Sequence, residues 1–237
     1  MQIPVLSGIT TDGGGDYRTL YPRNLTPVPK AQGISNGYLR PGEGILPFAD
    51  TDGRDRGAIN WNGVCYRVIG ENLVTVSADA TISVIGSVGD NGKLVTLTYS
   101  FDHLAIASNK KLFLYDGTDL AQVTDSDLGD VLDVTWLDGI FVTTDGTSAV
   151  ATDINNPFSV NPFKYGSSEI DPDPIVSVKE IRNEMVAINR YSVEYFDNVG
   201  GGVNVFPFRR VEGAALPAGC IGTHANAKFM GALAFIG

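Results

Sequence analysis

The sequence has few of the residues that build metal centres, disulfide frameworks and nucleophilic active sites. It contains two cysteines, Cys65 and Cys220, and two histidines, His103 and His224. The cysteines are too few and too far apart for a disulfide framework or a zinc site. Neither histidine stands beside a recognised nucleophile motif. We therefore predict two buried free thiols, ordinary turn or strand histidines, and a protein that is not an enzyme, with no catalytic, cofactor-binding or metal-binding residues.

Positive charge and long hydrophobic runs are also scarce. The chain has 17 Lys and Arg against 27 Asp and Glu, a net charge of −10. Affinity for nucleic acid grows with the number of phosphates that a protein neutralises, so sequence-specific nucleic-acid binding is not expected. The first ten residues, MQIPVLSGIT, lack a signal peptide's basic start and apolar core, and no run approaches the roughly 18 apolar residues of a spanning helix. We expect no membrane contact, and a soluble, reducing compartment.

Three short segments resemble binding loops only in part. DSDLGD, at residues 125–130, has three carboxylates, but a glycine occupies a ligand position and no downstream glutamate completes a calcium loop. The triple glycines at 13–15 and 200–202 are not followed by the Lys-Ser or Lys-Thr pair of a phosphate loop. We interpret the first as a solvated loop and the glycines as turns.

Two small basic segments interrupt the acidic sequence. They are GRDRG at residues 53–57 and FRR at residues 208–210. Both are interpreted as solvated turns, and the alternative is ion pairing with an acidic partner surface.

The region from residue 54 to residue 237 predicts an all-β domain. Short β-branched runs follow one another without a helical period, and Asn62-Gly63 between two such runs is a two-residue hairpin signal. Groups of four runs begin near Ala58, Val95, Val131, Ile175 and Cys220, at intervals of about 36 to 45 residues. This period favours a β-propeller-like fold of four-stranded blades, about four and a half blades in all. Regular short strands also fit a two-sheet sandwich, which stays an alternative.

Residues 1–53 predict an extended arm. They hold a density of Gly and Pro that excludes helices and long strands. Segments such as SNGYLRPGEGILPF, at residues 35–48, are nevertheless too apolar for a solvated linker. We therefore expect the arm to pack on a protein surface, either its own propeller or a neighbouring subunit.

Ordered motifs along the whole chain resemble a known family. They include YPRNL at 21–25, GYLR at 37–40, CYRVIGENL at 65–73, SSEIDPDPIVSV at 167–178, SVEYFDNVG at 192–200 and FPFRRVEGAALPAGCIG at 206–222. In this order they resemble the packaged-DNA stabilisation proteins, or tail hub proteins, of short-tailed phages. The chain is about half as long as such proteins, so either the arm supplies strands that complete the propeller or the 237 residues belong to a longer chain.

The resemblance implies a structural virion protein of the phage tail, made in the cytoplasm of a bacterial host. It implies a β-propeller body that assembles as a homo-oligomeric ring, commonly a hexamer, below the portal and adaptor proteins. Such a ring closes the DNA channel and connects to the tail needle and to tailspike proteins. A carbohydrate-binding or receptor-binding β-propeller is the alternative, and it requires acids and aromatics clustered around a pocket.

The arm is the expected assembly element. Extended, proline-stiffened segments lose little entropy when they dock, and their backbone groups can pair with the edge of a neighbour's sheet. Tyrosine and arginine are favoured anchors at interfaces. We predict that the partner-contact residues are Tyr21, Arg23, Tyr38, Leu39 and Arg40.

Overall fold

A computed structural model of the chain describes residues 25–29, 37–42, 44, 46–168, 173–200 and 205–237. The chain divides into two compact units, Met1–Phe48 and Ala49–Gly237. The described residues form strands, turns and loops, with no helix among them. In that part of the chain, therefore, no helix has the length and apolar character needed to cross a membrane.

The first unit contains a hairpin. Strands β1 (Leu25–Pro29) and β2 (Gly37–Pro41) pair in antiparallel fashion, with Pro27 opposite Leu39. These strands were not predicted, because LTPVP shows no alternation and carries two prolines. Proline is tolerated in a strand where its missing N–H faces away from the partner.

The described residues of the second unit form four sheets of four strands and one sheet of two. The first sheet comprises β3 (Asp55–Trp61), β4 (Val64–Ile69), β5 (Asn72–Val76) and β6 (Ile82–Ser87). The second comprises β7 (Thr96–Tyr99), β8 (Leu104–Ser108), β9 (Lys111–Tyr115) and β10 (Leu120–Gln122).

The later sheets repeat this arrangement. The third comprises β11 (Asp133–Leu137), β12 (Ile140–Thr144), β13 (Ser148–Asp153) and β14 (Asn156–Ser167). The fourth comprises β15 (Ile175–Ile181), β16 (Glu184–Asn189), β17 (Val193–Asn198) and β18 (Phe208–Leu216). Strands β19 (Asn226–Phe229) and β20 (Ala232–Phe235) form the two-stranded sheet.

Tight turns give each sheet its antiparallel meander. The turn between β3 and β4 has positive φ at both central residues, 51° at Asn62 and 79° at Gly63, and Asp138 and Gly139 repeat this between β11 and β12, at 51° and 81°. Two successive positive φ angles define the type I′ turn, whose twist matches that of the strands it joins. The predicted Asn-Gly hairpin is confirmed.

The sheets are stacked in series. The first strands of successive sheets contact one another, β3 with β7, β7 with β11 and β11 with β15. An apolar cluster fills each space between neighbouring sheets, and the last cluster joins the fourth sheet to the two-stranded one. The second, third and fourth sheets therefore bury both of their faces, as in a propeller whose first strands surround the axis. We call these filled spaces the first, second, third and fourth joints in chain order.

This arrangement confirms the predicted β-propeller-like fold of four-stranded blades, and the sandwich alternative is wrong because a sandwich has two sheets around one shared core. The apolar run VNVFPFRR, at residues 203–210, predicts the outer strand of the fourth blade, and the structure has this strand at β18, Phe208–Leu216, which shares residues 208–210 with the run. Pro207 lies just before β18 and has no N–H to donate to a ladder.

Candidate interaction surfaces

Three of the predicted contact residues lie in the first unit's hairpin. Tyr38, Leu39 and Arg40 belong to β2, and Arg40 is exposed. Tyr21 and Arg23 lie outside the described residues. The structure thus brings three of the five residues onto one strand.

The two prolines of β1 fix which edge of this hairpin can accept another strand. Pro27 and Pro29 have no N–H, so the ladder between β1 and β2 must use Thr26 and Val28, which lie opposite Arg40 and Tyr38. The backbone groups of Pro27 and Pro29 then face away from β2, where they offer carbonyls but no donors. On the other edge, by the same alternation, the N–H of Leu39 faces away from β1. The β2 edge therefore offers outward donors at Gly37 and Leu39, whereas the β1 edge keeps one, at Leu25.

The basic segment at residues 53–57 contains one buried arginine, Arg56. Arg56 is 1% exposed, and its guanidinium donates to the carbonyls of Lys93 at 2.6 Å, Gly89 at 2.6 Å and Gly70 at 2.9 Å. It also donates to the hydroxyl of Ser108 at 3.0 Å, on the second sheet. Arg56 therefore fastens the first joint, and both interpretations of it, as a solvated or a partner-facing charge, are wrong.

The remaining arginines of the two basic segments lie at the surface. Arg54 is exposed and donates to the carbonyl of Gly92 at 3.1 Å. Arg209 and Arg210 are exposed on β18, and Arg210 lies 3.8 Å from the carboxylate of Glu194. These three are the basic side chains of the two segments that remain accessible to a partner.

A polar cluster lies on the first strands of the third and fourth blades. Asp133, at the start of β11, is fully buried, and its Oδ2 accepts from Lys179 Nζ at 2.7 Å and from the N–H of Val178 at 3.0 Å. Ser177 also donates to this oxygen. A buried carboxylate needs this kind of compensation, because removing its charge from water is costly. The cluster ties β11 to β15 across the third joint.

His224 approaches this cluster from the loop before β19. It lines a pocket of about 480 Å³ together with Lys93, Leu94 and Lys110. Burial lowers the pKa of His224 from its ordinary value of 6.5; the charge of nearby Lys179 lowers it further, while that of Asp133 opposes the shift. His103 lies elsewhere, with its ring centroid 6.1 Å from that of Phe158.

The acidic loop at residues 125–130 uses its carboxylates within the fold. Asp125 accepts hydrogen bonds from the N–H of Asp127 at 2.9 Å and of Val160 at 3.0 Å, and Asp130 pairs with Lys110 at 2.9 Å. Among the described residues, no group of three or more His, Cys, Asp or Glu is arranged to hold a metal ion. Both cysteines are free thiols, but only Cys220 is fully buried, so the prediction of a second buried thiol at Cys65 is wrong.

The whole chain matches a known family. The family model, described as Bacteriophage P22 Gp10, beta-propeller, matches residues 1–237. The tail hub protein gp10 of Salmonella phage P22 is 28% identical over 263 residues, an alignment that covers 99% of this chain and 52% of that protein. The chain thus spans about half the length of this curated relative.

Solved structures with similar backbones are more distant. The extracellular domain of a one component system from B. thetaiotaomicron gives a TM-score of 0.49 at 9% identity, over 70% of this chain and 23% of that chain. The computationally designed Ika8 protein gives 0.45 at 14% identity, over 84% and 62%. Likenesses at this level do not bear on function. The family match, the predicted motifs and the stacked four-stranded sheets agree, and the chain belongs to the Bacteriophage P22 Gp10 β-propeller family.

Proposed function

We propose that this chain is a structural component of a phage tail, a hub subunit without catalytic activity. The observation that carries this proposal is the family match over all 237 residues, together with a relative described as a tail hub protein. In this proposal the subunits form a homo-oligomeric ring, a hexamer, below the portal and adaptor proteins. The ring resides in the virion tail after synthesis in the cytoplasm of a bacterial host, and it connects to the tail needle and to tailspikes.

The charge of the chain supports a mechanical way of retaining DNA. A net charge of −10 disfavours a grip on phosphates. A ring that closes the channel through contacts between proteins needs no such grip. We therefore place the retention of DNA in the assembled ring and its neighbours, and not in a DNA-binding site of the single chain.

The β2 edge is the assembly element in this proposal. Its support is the asymmetry of the hairpin, in which Pro27 and Pro29 leave the β1 edge with one outward donor, at Leu25, while the β2 edge keeps two, at Gly37 and Leu39. An extended strand with free backbone groups can add to the sheet edge of another protein. We propose that β2, with Tyr38, Leu39 and Arg40, adds to a sheet of a neighbouring copy, with Tyr21 and Arg23 contributing from the preceding segment.

Electron microscopy tests the tail role. Purified protein is imaged alone and after mixing with portal–adaptor complexes of the same phage. Rings, or density attached below the adaptor, are the expected result. Particles that stay monomeric and never join the tail complex would contradict the proposal.

Two variants test the β2 edge separately from the tail role. Leu39→Pro removes the outward N–H of β2, and we expect ring formation to decline in analytical ultracentrifugation. The matched control, Pro27→Ala, alters the opposite edge and should assemble like the wild type. If Leu39→Pro also assembles normally while wild-type rings persist, the β2 edge is not the docking element, although the hub role stands. Deletion of residues 1–50 tests the whole arm in the same way: if the truncated protein still forms rings, the arm is not the docking element, although the hub role stands.

A further inference from the structure

Exposed apolar side chains collect at one end of the second and third blades. In each four-stranded meander, the turns after the first and third strands lie at the same end, which we call the hairpin face. Phe101, in the turn after β7, is 84% exposed, and its ring meets that of Trp136 edge to face at 5.5 Å. Ile154 and Phe158, in and after the turn that follows β13, are 61% and 41% exposed. We call Phe101, Trp136, Ile154 and Phe158 the aromatic patch.

These four residues form one continuous surface. Phe101 and Trp136 line a small pocket of about 130 Å³ with His103 and with Pro157, the neighbour of Phe158. The ring of Phe158 also packs on His103. Ile154 lies beside Gly139, where an added Cβ would be 3.4 Å from its Cγ1. Contiguous exposed apolar surface of this kind marks sites of interaction, whereas single exposed apolar residues need no explanation.

The hairpin face around the patch is acidic. Its described turns carry five aspartates and one arginine: Asp79, Asp102, Asp116, Asp119, Asp138 and Arg182. All six side chains are exposed. Such a rim repels nucleic acid, anionic lipid and any similarly acidic surface, and it attracts cationic partners. This inference does not depend on the proposed role in the tail.

We propose that the aromatic patch and its acidic rim bind a protein segment that carries an aliphatic or aromatic anchor flanked by lysine or arginine. The anchor packs against Phe101 and Trp136, and the flanking cations face Asp102 and Asp138. A saccharide fits less well, because the pocket beside Trp136 is small and the most exposed ring, Phe101, stands out from the surface. A second copy of the chain fits less well because it brings the same acidic rim to the contact.

Selection from a displayed library of random short peptides tests this proposal. The chain is the immobilised target, and the enriched sequences are synthesised and measured by isothermal titration. We expect apolar residues flanked by Lys or Arg, and affinity that falls as salt rises. Phe101→Ala should weaken binding by about ten-fold, since a central aromatic anchor carries much of the energy of an interface. Asp102→Asn, which removes one rim charge, should weaken it by about three-fold.

Tyr191→Ala is the matched control. Tyr191 is 69% exposed, but it lies in the turn after β16, at the opposite end of the blades. This variant should bind the selected peptides like the wild type. Because both altered side chains are exposed, the thermal unfolding of both variants should match the wild type, which separates lost binding from lost folding.

Four results would overturn the proposal. They are the absence of enriched peptides, selection of acidic sequences, equal binding by Phe101→Ala, and equal loss of binding in Tyr191→Ala. Binding of a neutral oligosaccharide such as maltoheptaose that depends on Phe101 would assign the patch to saccharides instead. Self-association that depends on Phe101, seen by sedimentation, would assign it to a second copy.

Discussion

The first and third joints of the propeller are both fastened by a buried charge, but the charge is compensated differently. In the first joint, Arg56 is surrounded mainly by neutral carbonyls, and its nearest carboxylate, Asp90 at 3.4 Å, has a side chain 41% exposed. In the third joint, buried Asp133 has Lys179 at 2.7 Å, a side chain that is 16% exposed. The buried cation of the first joint is compensated by several backbone dipoles, whereas the buried anion of the third joint is paired with one cationic side chain.

The difference determines what each joint can tolerate. The carbonyl of Gly89 also accepts from the hydroxyl of Ser108 at 3.2 Å, whereas those of Gly70 and Lys93 have Arg56 as their donor. One substitution therefore leaves two acceptors unpaired. In the third joint the buried charge belongs to the pair of Asp133 and Lys179. Replacing both members leaves no uncompensated buried charge. A single substitution should therefore destabilise the first joint more than the third. In the third joint, a second substitution should recover part of the lost stability.

Loss of the Arg56 guanidinium should have the largest effect. Arg56→Met keeps an apolar side chain of similar reach but leaves the carbonyls of Gly70 and Lys93 without their donor, and that of Gly89 with Ser108 alone. We expect the free energy of unfolding to fall by about 3–5 kcal/mol, because each buried acceptor left unpaired costs about 1–3 kcal/mol. Urea denaturation measures this loss.

Arg54→Met is the matched control for that experiment. Arg54 lies two residues earlier, is exposed, and donates only to Gly92 among the bonds described for its side chain. A change within about 0.5 kcal/mol is expected, as for ordinary surface substitutions. Equal losses in the two variants would show that Arg56 is not a special fastening of the first joint.

The third joint should lose less and should be repairable. Asp133→Asn leaves Lys179 without its buried counter-charge, and a loss of about 2–3 kcal/mol is expected, below that of a fully buried pair because Lys179 can reach solvent. Adding Lys179→Met should recover at least about 1 kcal/mol of it. Asp130→Asn, in an exposed pair with Lys110, should change stability by less than about 1 kcal/mol. If the losses in free energy of unfolding for Asp133→Asn and Lys179→Met simply add in the double variant, the two side chains are not coupled.

The two joints also show which parts of this structure the sequence could predict. Blade boundaries were predictable because they depend on local signals, such as β-branched runs and the positive-φ turn at Asn62-Gly63. The role of Arg56 was not, because GRDRG looks the same in a solvated turn, and its burial depends on acceptors 14 to 52 residues away. The aromatic patch was missed for the same reason, since Phe101 and Trp136 meet only when two blades stack. The hairpin of the arm was not predicted because the prolines of β1 argue against a strand in the sequence.

Glycines at the two joints give a smaller effect that can sharpen the comparison. A Cβ at Gly166 in the third joint would lie 2.1 Å from the ring of Phe206, whereas one at Gly57 in the first would lie 2.9 Å from Val95 Cγ2. Gly166→Ala should cost about 2 kcal/mol and Gly57→Ala about 1 kcal/mol, since a ring must move in one case and a methyl group in the other. Gly222→Ala, with nothing within 4 Å, should be neutral. A larger loss of stability in Gly57→Ala than in Gly166→Ala would show that the first joint is packed more tightly than the third at these glycines.

The smallest effect should be a pH dependence that comes from His224, close to the Asp133–Lys179 pair of the third joint. Burial lowers the pKa of His224 below 6.5, and Asp133, Lys179, Lys93 and Lys110 are the charged groups around its side chain and pocket. Between the lowered pKa and about 6.5, the unfolded chain binds a proton at His224 that the folded chain does not, so stability rises with pH there. The contribution of neutral His224 is fully present above about pH 6.5 and is lost as the pH falls through the lowered pKa.

We would compare the urea midpoints of wild type and His224→Gln across this pH range. Carboxylates titrate in both proteins, so the difference between the two proteins gives the contribution of His224 to the pH dependence of stability. The wild type should lose more stability than the variant as the pH falls. Arg54→Met should keep the wild-type slope, because a guanidinium does not titrate there. Equal slopes in wild type and His224→Gln would mean that His224 ionises alike in the folded and unfolded states.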